Sequence, residues 1–156
     1  AEALVSAARS VGMKTLLVTG WGGLIPSAGH RSASDVLIRE SVAHSSLLPR
    51  VTVGIHHGGA GTTHAFLRAG TPAIIMPFLA DQPWWAARLH AQGLGPRPLR
   101  RRETRAGVIA TAITEAALRR DRVARAATQM AGEDGLASAL SILELAEAGV
   151  SPLRPA

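Results

Sequence analysis

Cysteine and tyrosine are absent, and lysine occurs once, at Lys14. Without cysteine there can be no disulfide, no thiolate chemistry and no Cys-ligated zinc. Aromatic residues make up only 3% of the chain, so a core has to be built mostly from Ala, Leu, Val and Ile. The hydrophobic share of 47% suits a folded chain rather than a disordered one, and 156 residues suffice for one domain with its own core. No apolar run approaches the ~18 residues of a membrane span. The amino-terminal AEALVSAARS lacks the cationic start and apolar stretch of a secretory signal, which makes a soluble cytoplasmic protein the expectation.

Charge of one sign dominates. The chain has 17 Lys and Arg against 11 Asp and Glu, a net charge of +6. The excess falls in Arg97 to Arg105 and Arg119 to Arg125. Such a balance suits nucleic acid, acidic lipid or a phosphorylated ligand. A single-strand binder interleaves aromatic and basic residues, and that pattern is missing, so these arginines read as solvated loop and helix faces and no nucleic-acid partner is expected.

Helical and extended patterns alternate. Ala1 to Val11 has helical apolar spacing, with Gly12 as its stop. Buried strands are expected at Lys14 to Thr19, around Val36 to Ile38, at Val51 to His56 and in the AIIMP run after Pro72. Ser45 to Arg50 reads as a short turn or helical piece. Helices are expected after the Gly-rich loop up to Gly70, over Pro83 to Gln92 before Gly93, over Thr104 to Leu118, over Asp121 to Met130, and over Glu133 to Ala148. Short apolar strands separated by helices define an α/β fold with a doubly wound, Rossmann-like parallel sheet. Such a sheet usually opens with its central strand, whereas this chain opens with a helix, so the first strand is expected to have been left behind in a longer protein. Residues 1–150 read as one domain and 151–156 as a tail.

The strongest local feature is GIHHGGAGTTH, Gly54 to His64, between a buried strand and a helix. Small residues there let backbone N–H groups approach an anion, and the helix N-terminus adds partial positive charge. Thr62 and Thr63 bring hydroxyls, and a histidine at the strand end can donate to a phosphate oxygen. A diphosphate cradle and a plain tight turn are both compatible with this pattern. It is neither a Walker loop nor the dinucleotide GxGxxG fingerprint. His56 and His57 are poor metal ligands together, because neighbours at a strand end point to opposite faces and no carboxylate lies nearby in sequence. No metal site is expected.

Gly54 to Thr63 followed by AGTPAIIMPFLADQPWWAARLHAQGLGP resembles the carboxyl-terminal signature of the GT1 glycosyltransferases of GT-B fold. It is similar to the sterol 3-beta-glucosyltransferases and the bacterial glycopeptide and macrolide glycosyltransferases. GWGGL at Gly20 to Leu24, LLPR at Leu47 to Arg50 and EDGL at Glu133 to Leu136 resemble further elements of the family in the same order, so the likeness covers nearly the whole chain. The resemblance implies the donor-binding, carboxyl-terminal half of a GT-B enzyme.

It further implies that His57, Gly59, Gly61 and Thr62 contact the donor diphosphate, and that Asp81 and Gln82 contact sugar hydroxyls. A carboxylate accepts only, while an amide both donates and accepts, a combination suited to vicinal hydroxyls. Asp81 has a second reading as the N-cap of the helix starting near Pro83. Trp84 and Trp85 are either core or cleft lining. Trp21, in its Gly-flanked turn, and Trp85 are candidates for the donor rim. One element departs from the sterol-type pattern: where those enzymes read PHDW, this chain has Ala43, His44, Ser45 and Ser46, which leaves uracil and thymine both open as the base.

The implied chemistry is inverting transfer of a hexose, most simply glucose from UDP-glucose, to a hydroxyl of a lipophilic acceptor such as a sterol or natural product. The donor, UDP-glucose or a dTDP-sugar, is a substrate, and no cofactor is expected. The general base of the family lies on the amino-terminal acceptor domain, so no catalytic residue is expected in this chain and the chain alone is expected to be inactive. Two alternatives remain: a natural half-enzyme that pairs with a separate acceptor subunit, and a non-catalytic nucleotide-sugar binding module.

Overall fold

Strand β4 (Ala73–Ile75) is buried along its whole length and organises what surrounds it. The computed structural model describes residues 1–20, 27 and 34–149. In chain order the remaining elements are α1 (Glu2–Ser10), β1 (Thr15–Val18), β2 (Val36–Arg39), α2 (His44–Leu47) running into a 3-10 turn (Leu48–Arg50), and β3 (Gly54–His56). Then come α3 (Ala60–Arg68), α4 (Gln82–Ala91) after β4, α5 (Ala106–Ala117), α6 (Arg120–Ala131) and α7 (Gly135–Glu147). Trp21 to Leu24 of the GWGGL turn and the 151–156 tail lie outside the described residues.

All pairing is parallel, as the alternation of strands and helices predicts. β1 pairs with β2 from Thr15↔Val36 to Val18↔Arg39, and β3 pairs with β4 from Gly54↔Ala73 to His56↔Ile75. Among the described residues these are two separate two-stranded sheets rather than one continuous one. β3 is also shorter than the apolar run Val51–His56 suggests. Val51 donates to the Leu48 carbonyl at 3.0 Å and its own carbonyl accepts from Arg120 Nη2 at 2.9 Å, which ties it to the 3-10 turn and to α6. The chain joins the ladder only at Gly54, whose N–H donates to the Pro72 carbonyl.

Side-chain alternation along β4 sends neighbours to opposite faces. Ile74 packs with Ala7 of α1, Leu99 and Ile109, Ala112, Ile113 and Ala116 of α5. Ile75 packs with Leu67 of α3, Ala86 and Leu89 of α4 and Val123 of α6. The strand is therefore covered by helices on both faces, the condition under which a parallel strand reads as a continuous apolar run. Gly70, in the left-handed region at φ 66°, ends α3: its N–H donates to Leu67 O and that of Thr71 to Phe66 O, the bonding of a Schellman stop. Gly12 and Gly93 end α1 and α4 the same way. No helix among the described residues is long and apolar enough to cross a membrane.

α7 is different. Asp134 Oδ1 caps it by accepting from Ala137 N–H at 2.9 Å, yet none of its residues is buried, and Leu136, Leu140, Ile142, Leu143 and Leu145 are all exposed.

Gly54 sits under the Phe66 ring, and a methyl group there would lie 2.1 Å from Phe66 Cε1. Phe66 is buried and stacked on His56, so it has little room to yield. Gly54→Ala is expected to lower stability by ~1–3 kcal/mol through overpacking. Gly107→Ala, at a helical position facing open space, should hold or raise it. Denaturant midpoints check this: an unchanged midpoint for Gly54→Ala would contradict the close approach.

Candidate functional site

Two loops leave the carboxyl ends of the adjacent parallel strands β3 and β4, the edge at which open α/β sheets bind ligands. The first, His57 to Gly59, runs into α3. The second, Met76 to Asp81, runs into α4. Gly58 of the first loop is buried with φ 92° and faces the end of β4 and the start of α4. A methyl on Gly58 would lie 2.4 Å from Ile75 Cγ2 and 3.5 Å from the Gln82 carbonyl oxygen. Only glycine tolerates both the conformation and the proximity.

The amino terminus of α3 is open. Gly59 is its N-cap and no side chain caps it, and the first intrahelical bond runs from Thr63 N–H to Gly59 O at 2.9 Å. The N–H groups of Ala60, Gly61 and Thr62 precede that bond and have no partner within the helix. His57 is exposed and its ring lies over the entry to the helix: a methyl on Gly59 would be 2.7 Å from His57 Nε2. Nothing lies within 4 Å of the position a Gly61 methyl would take. Thus His57, Gly59, Gly61 and Thr62 are gathered around unpaired N–H donors with the positive end of a helix dipole behind them. This arrangement can bind an anion.

His56 behaves quite differently from its neighbour. Its Nδ1 accepts from Gly58 N–H at 3.0 Å, which assigns the proton of the neutral ring to Nε2. The ring stacks on Phe66 with centroids 4.9 Å apart, and Nε2 is buried without a partner. Burial first, then the nearby His57 and His44, push its pKa from 6.5 down to about 4. His56 is a neutral structural group that shapes the loop, while His57 faces the solvent. The one sign of this division in the residues alone is that strand neighbours point to opposite faces.

In the second loop the side chains of Asp81 and Gln82 are already engaged. Gln82 Oε1 accepts from Phe78 N–H at 2.8 Å and Leu79 N–H at 3.2 Å, leaving the amide Nε2 as its unused donor group. Asp81 Oδ2 accepts from Trp85 Nε1 at 2.9 Å. Asp81 stands at the N-cap position of α4 but makes no side-chain capping bond, so its alternative reading as a capping side chain does not hold in this geometry. Ala80, just before it, has φ 56°, a conformation rarely taken by residues other than glycine.

Trp85 is half-buried, packed against the Ile75 cluster and edge-on to His64 at 4.9 Å, so it links α4 to α3. Trp84 is 56% exposed, with the Arg88 guanidinium 5.3 Å from its ring centre. Phe78 and Leu79 are exposed beside it, so this loop carries an apolar rim. Trp21, the other rim candidate, lies outside the described residues. The Arg97 to Arg105 stretch holds itself in place, with Arg97 Nη2 2.8 Å from Glu103 Oε1 and Arg100 N–H donating to the same carboxylate.

Solved structures with this fold are the carboxyl-terminal halves of GT-B glycosyltransferases. The glycotransferase of kitacinnamycin superposes with a TM-score of 0.80 at 20% identity, over 92% of this chain and 38% of that one. CalG4, the calicheamicin glycosyltransferase, gives 0.74 at 22% identity over 93% and 40%. Residues 31–147 match the family model described as erythromycin biosynthesis protein CIII-like, C-terminal domain, and the chain belongs to that family of glycosyltransferase domains. The O-mycaminosyltylonolide 6-deoxyallosyltransferase of Streptomyces fradiae is 37% identical over 92% of this chain, and the glycosyltransferase GtfE of Amycolatopsis orientalis is 34% identical over 100% of this chain. A sterol 3-beta-glucosyltransferase of Arabidopsis thaliana is 41% identical over 63% of the chain. This chain spans 33%, 37% and 15% of those relatives in turn.

The buried, neutral His56 makes stability depend on pH. Unfolding returns its pKa to 6.5, so between 6.5 and about 4 the unfolded state binds the extra proton and stability falls as pH falls. Denaturant midpoints are expected to drop across that window for the native chain. In His56→Asn, whose side-chain oxygen can still accept from Gly58, that drop should be shallower. Equal pH slopes for the two proteins would contradict the burial of a neutral ring.

Proposed function

We propose that this chain is the donor-binding part of an inverting hexosyltransferase and that it holds a nucleoside diphosphate sugar across the loops after β3 and β4. The observation that carries the reading is the packing of Gly58 against Ile75 and the Gln82 carbonyl, which brings the loop ahead of the open α3 terminus up to the first residue of α4. The diphosphate takes the helix terminus, His57, Gly59, Gly61 and Thr62. The hexose lies toward Asp81 and the free amide of Gln82. As the bond to the anomeric carbon breaks, negative charge grows on the leaving diphosphate, and the helix dipole with the His57 N–H stabilises it electrostatically. The acceptor hydroxyl attacks from the opposite side and inverts the anomeric centre.

UDP-glucose is the donor this reading favours, with a dTDP-sugar as the other choice. The relatives named as sterol and vancomycin aglycone glucosyltransferases support glucose, while the 6-deoxyallosyltransferase supports a deoxysugar. Those names also support a lipophilic hydroxyl acceptor, such as a sterol or natural product. The acceptor pocket and the general base belong to an amino-terminal domain, so residues 1–156 alone should bind the donor without transferring the sugar. Robust turnover by this chain alone with UDP-glucose and a panel of hydroxyl acceptors would contradict that.

Calorimetric titration with UDP and with UDP-glucose tests the two halves of the site. His57→Ala removes a hydrogen bond to a charged group and should weaken both ligands by roughly 10- to 150-fold, the equivalent of ~1.5–3 kcal/mol. Gln82→Glu keeps the acceptor that holds Phe78 and Leu79 N–H but removes the amide donor. It should weaken UDP-glucose more than UDP. Unchanged UDP affinity in folded His57→Ala would overturn the diphosphate assignment. Equal losses for both ligands in Gln82→Glu would overturn the sugar assignment.

A further inference from the structure

The donor site leaves the arginines of residues 97–105 unused, and the fold sets them beside apolar side chains. Leu99 N–H donates to Ile75 O at 2.9 Å, so this segment runs along the edge of β4 that β3 does not occupy. Arg100, Arg101 and Arg102 follow at the carboxyl end of that edge, and all three are exposed. There the Arg101 guanidinium lies 5.5 Å from the Phe78 ring centre. Arg88 takes the same position over Trp84, four residues away on one face of α4. Phe78 is 51% exposed and Leu79 65%, with Trp84 exposed beside them. Scattered apolar residues at a surface need no explanation, but three between positions 78 and 84 form a patch.

The patch is short of negative charge. Its two carboxylates are already engaged, Asp81 with Trp85 Nε1 and Glu103 with Arg97. Among the described residues none of Arg88, Arg100, Arg101 and Arg102 is in an ion pair. A cavity of about 380 Å³, lined in part by Pro77, Arg97, Arg100 and Arg101, opens beside the same loop. The surface therefore calls for an apolar medium and for anions at once, within one side-chain length of each other. A bilayer with anionic lipids supplies both: aromatic rings settle at the headgroup level, and long cationic side chains reach the phosphates around them.

We infer that this patch docks the protein on an anionic bilayer surface, with Phe78, Leu79 and Trp84 entering the headgroup layer and the four guanidiniums meeting lipid phosphates. Charge complementarity selects the place as well as the partner. α7 exposes more leucine, but it has no Lys or Arg and carries Glu144 and Glu147, the wrong sign for such a surface. The arginines of α6 have no aromatic residue among them. Only the loop after β4 and its neighbours combine the two chemistries among the described residues. The basic part of the patch lies on the side of β4 away from β3, whereas α3 follows β3. On the donor-binding reading above, docking sets the ligand edge near a layer in which a lipophilic acceptor dissolves. The docking itself needs neither donor nor acceptor.

Vesicle flotation tests it, with phosphatidylcholine vesicles made with and without phosphatidylglycerol. The chain should float with the anionic vesicles and stay behind with the neutral ones, and added salt should weaken the binding. Replacing Arg100, Arg101 and Arg102 together by Gln should weaken it about 100-fold, at roughly fivefold for each cation near the surface. Leu79→Ser combined with Trp84→Ser should weaken it about tenfold or more. These side chains are exposed, so an unchanged melting temperature checks that the variants fold. Lipids brominated in their acyl chains should quench the tryptophan emission of the docked chain, and Trp84→Phe should remove most of that quenching. No binding to anionic vesicles by the folded chain, equal binding to both kinds of vesicle, or undiminished binding in either set of variants overturns the inference. So does loss of binding in Leu140→Ser with Leu143→Ser, which would assign the docking to α7. Capture by polyglutamate without vesicle binding would assign the patch to an acidic protein and overturn it too. None of these readouts involves donor binding or sugar transfer, so a failure here is separate from a failure of the donor assignment.

Discussion

The site depends on one close approach, that of Gly58 to Ile75 and to the Gln82 backbone. At Gly58 the loop after β3 packs against the end of β4 and the first residue of α4. It lies in the left-handed region and is buried, so a side chain would strain the backbone and also displace a core isoleucine. Ile75 in turn belongs to the cluster that holds α3, α4 and α6 against β4. Core packing is thus transmitted to the ligand edge through one glycine, and the direction of the α3 N-terminus is set by contacts a few ångströms behind it.

Adjacent histidines divide the work of that loop. His56 is stacked, neutral and bonded to the backbone of the turn, a role set by burial. His57 lies outside over Gly59, where a donor can reach an anion. The division follows from strand alternation, which sends one ring into the Phe66 layer and leaves the next in solvent. A similar double use marks the second loop. Gln82 spends its oxygen on Phe78 and Leu79 and keeps its amide, and Asp81 orients Trp85 with one oxygen. Both side chains brace the loop while retaining polar atoms for a ligand.

Much of this was legible in the sequence because local chemistry and tertiary context agree. Apolar runs marked β1, β2 and β4, and Gly12, Gly70 and Gly93 stop their helices where the pattern placed them. Other features were set by partners distant in sequence. The early end of the Val51–His56 run comes from Arg120 and the 3-10 turn, and no local pattern contains Arg120. The Trp85–Asp81 bond spans one helical turn, but a capping role for Asp81 was equally consistent with the residues alone. The left-handed Ala80 left no signal, since alanine does not announce that conformation. The pairing of the strands into two separate ladders among the described residues likewise has no counterpart in the local pattern.

The proposed donor site stands or falls with the open N-terminus of α3 as the place of the diphosphate. The most direct measurement is an amide chemical-shift map of the isotopically labelled chain titrated with UDP. Saturable shifts are expected, centred on His57 to Thr62, with smaller ones at Asp81 and Gln82. Shifts centred instead on the Arg97 to Arg105 loop, or none at millimolar UDP in a folded chain, would contradict it.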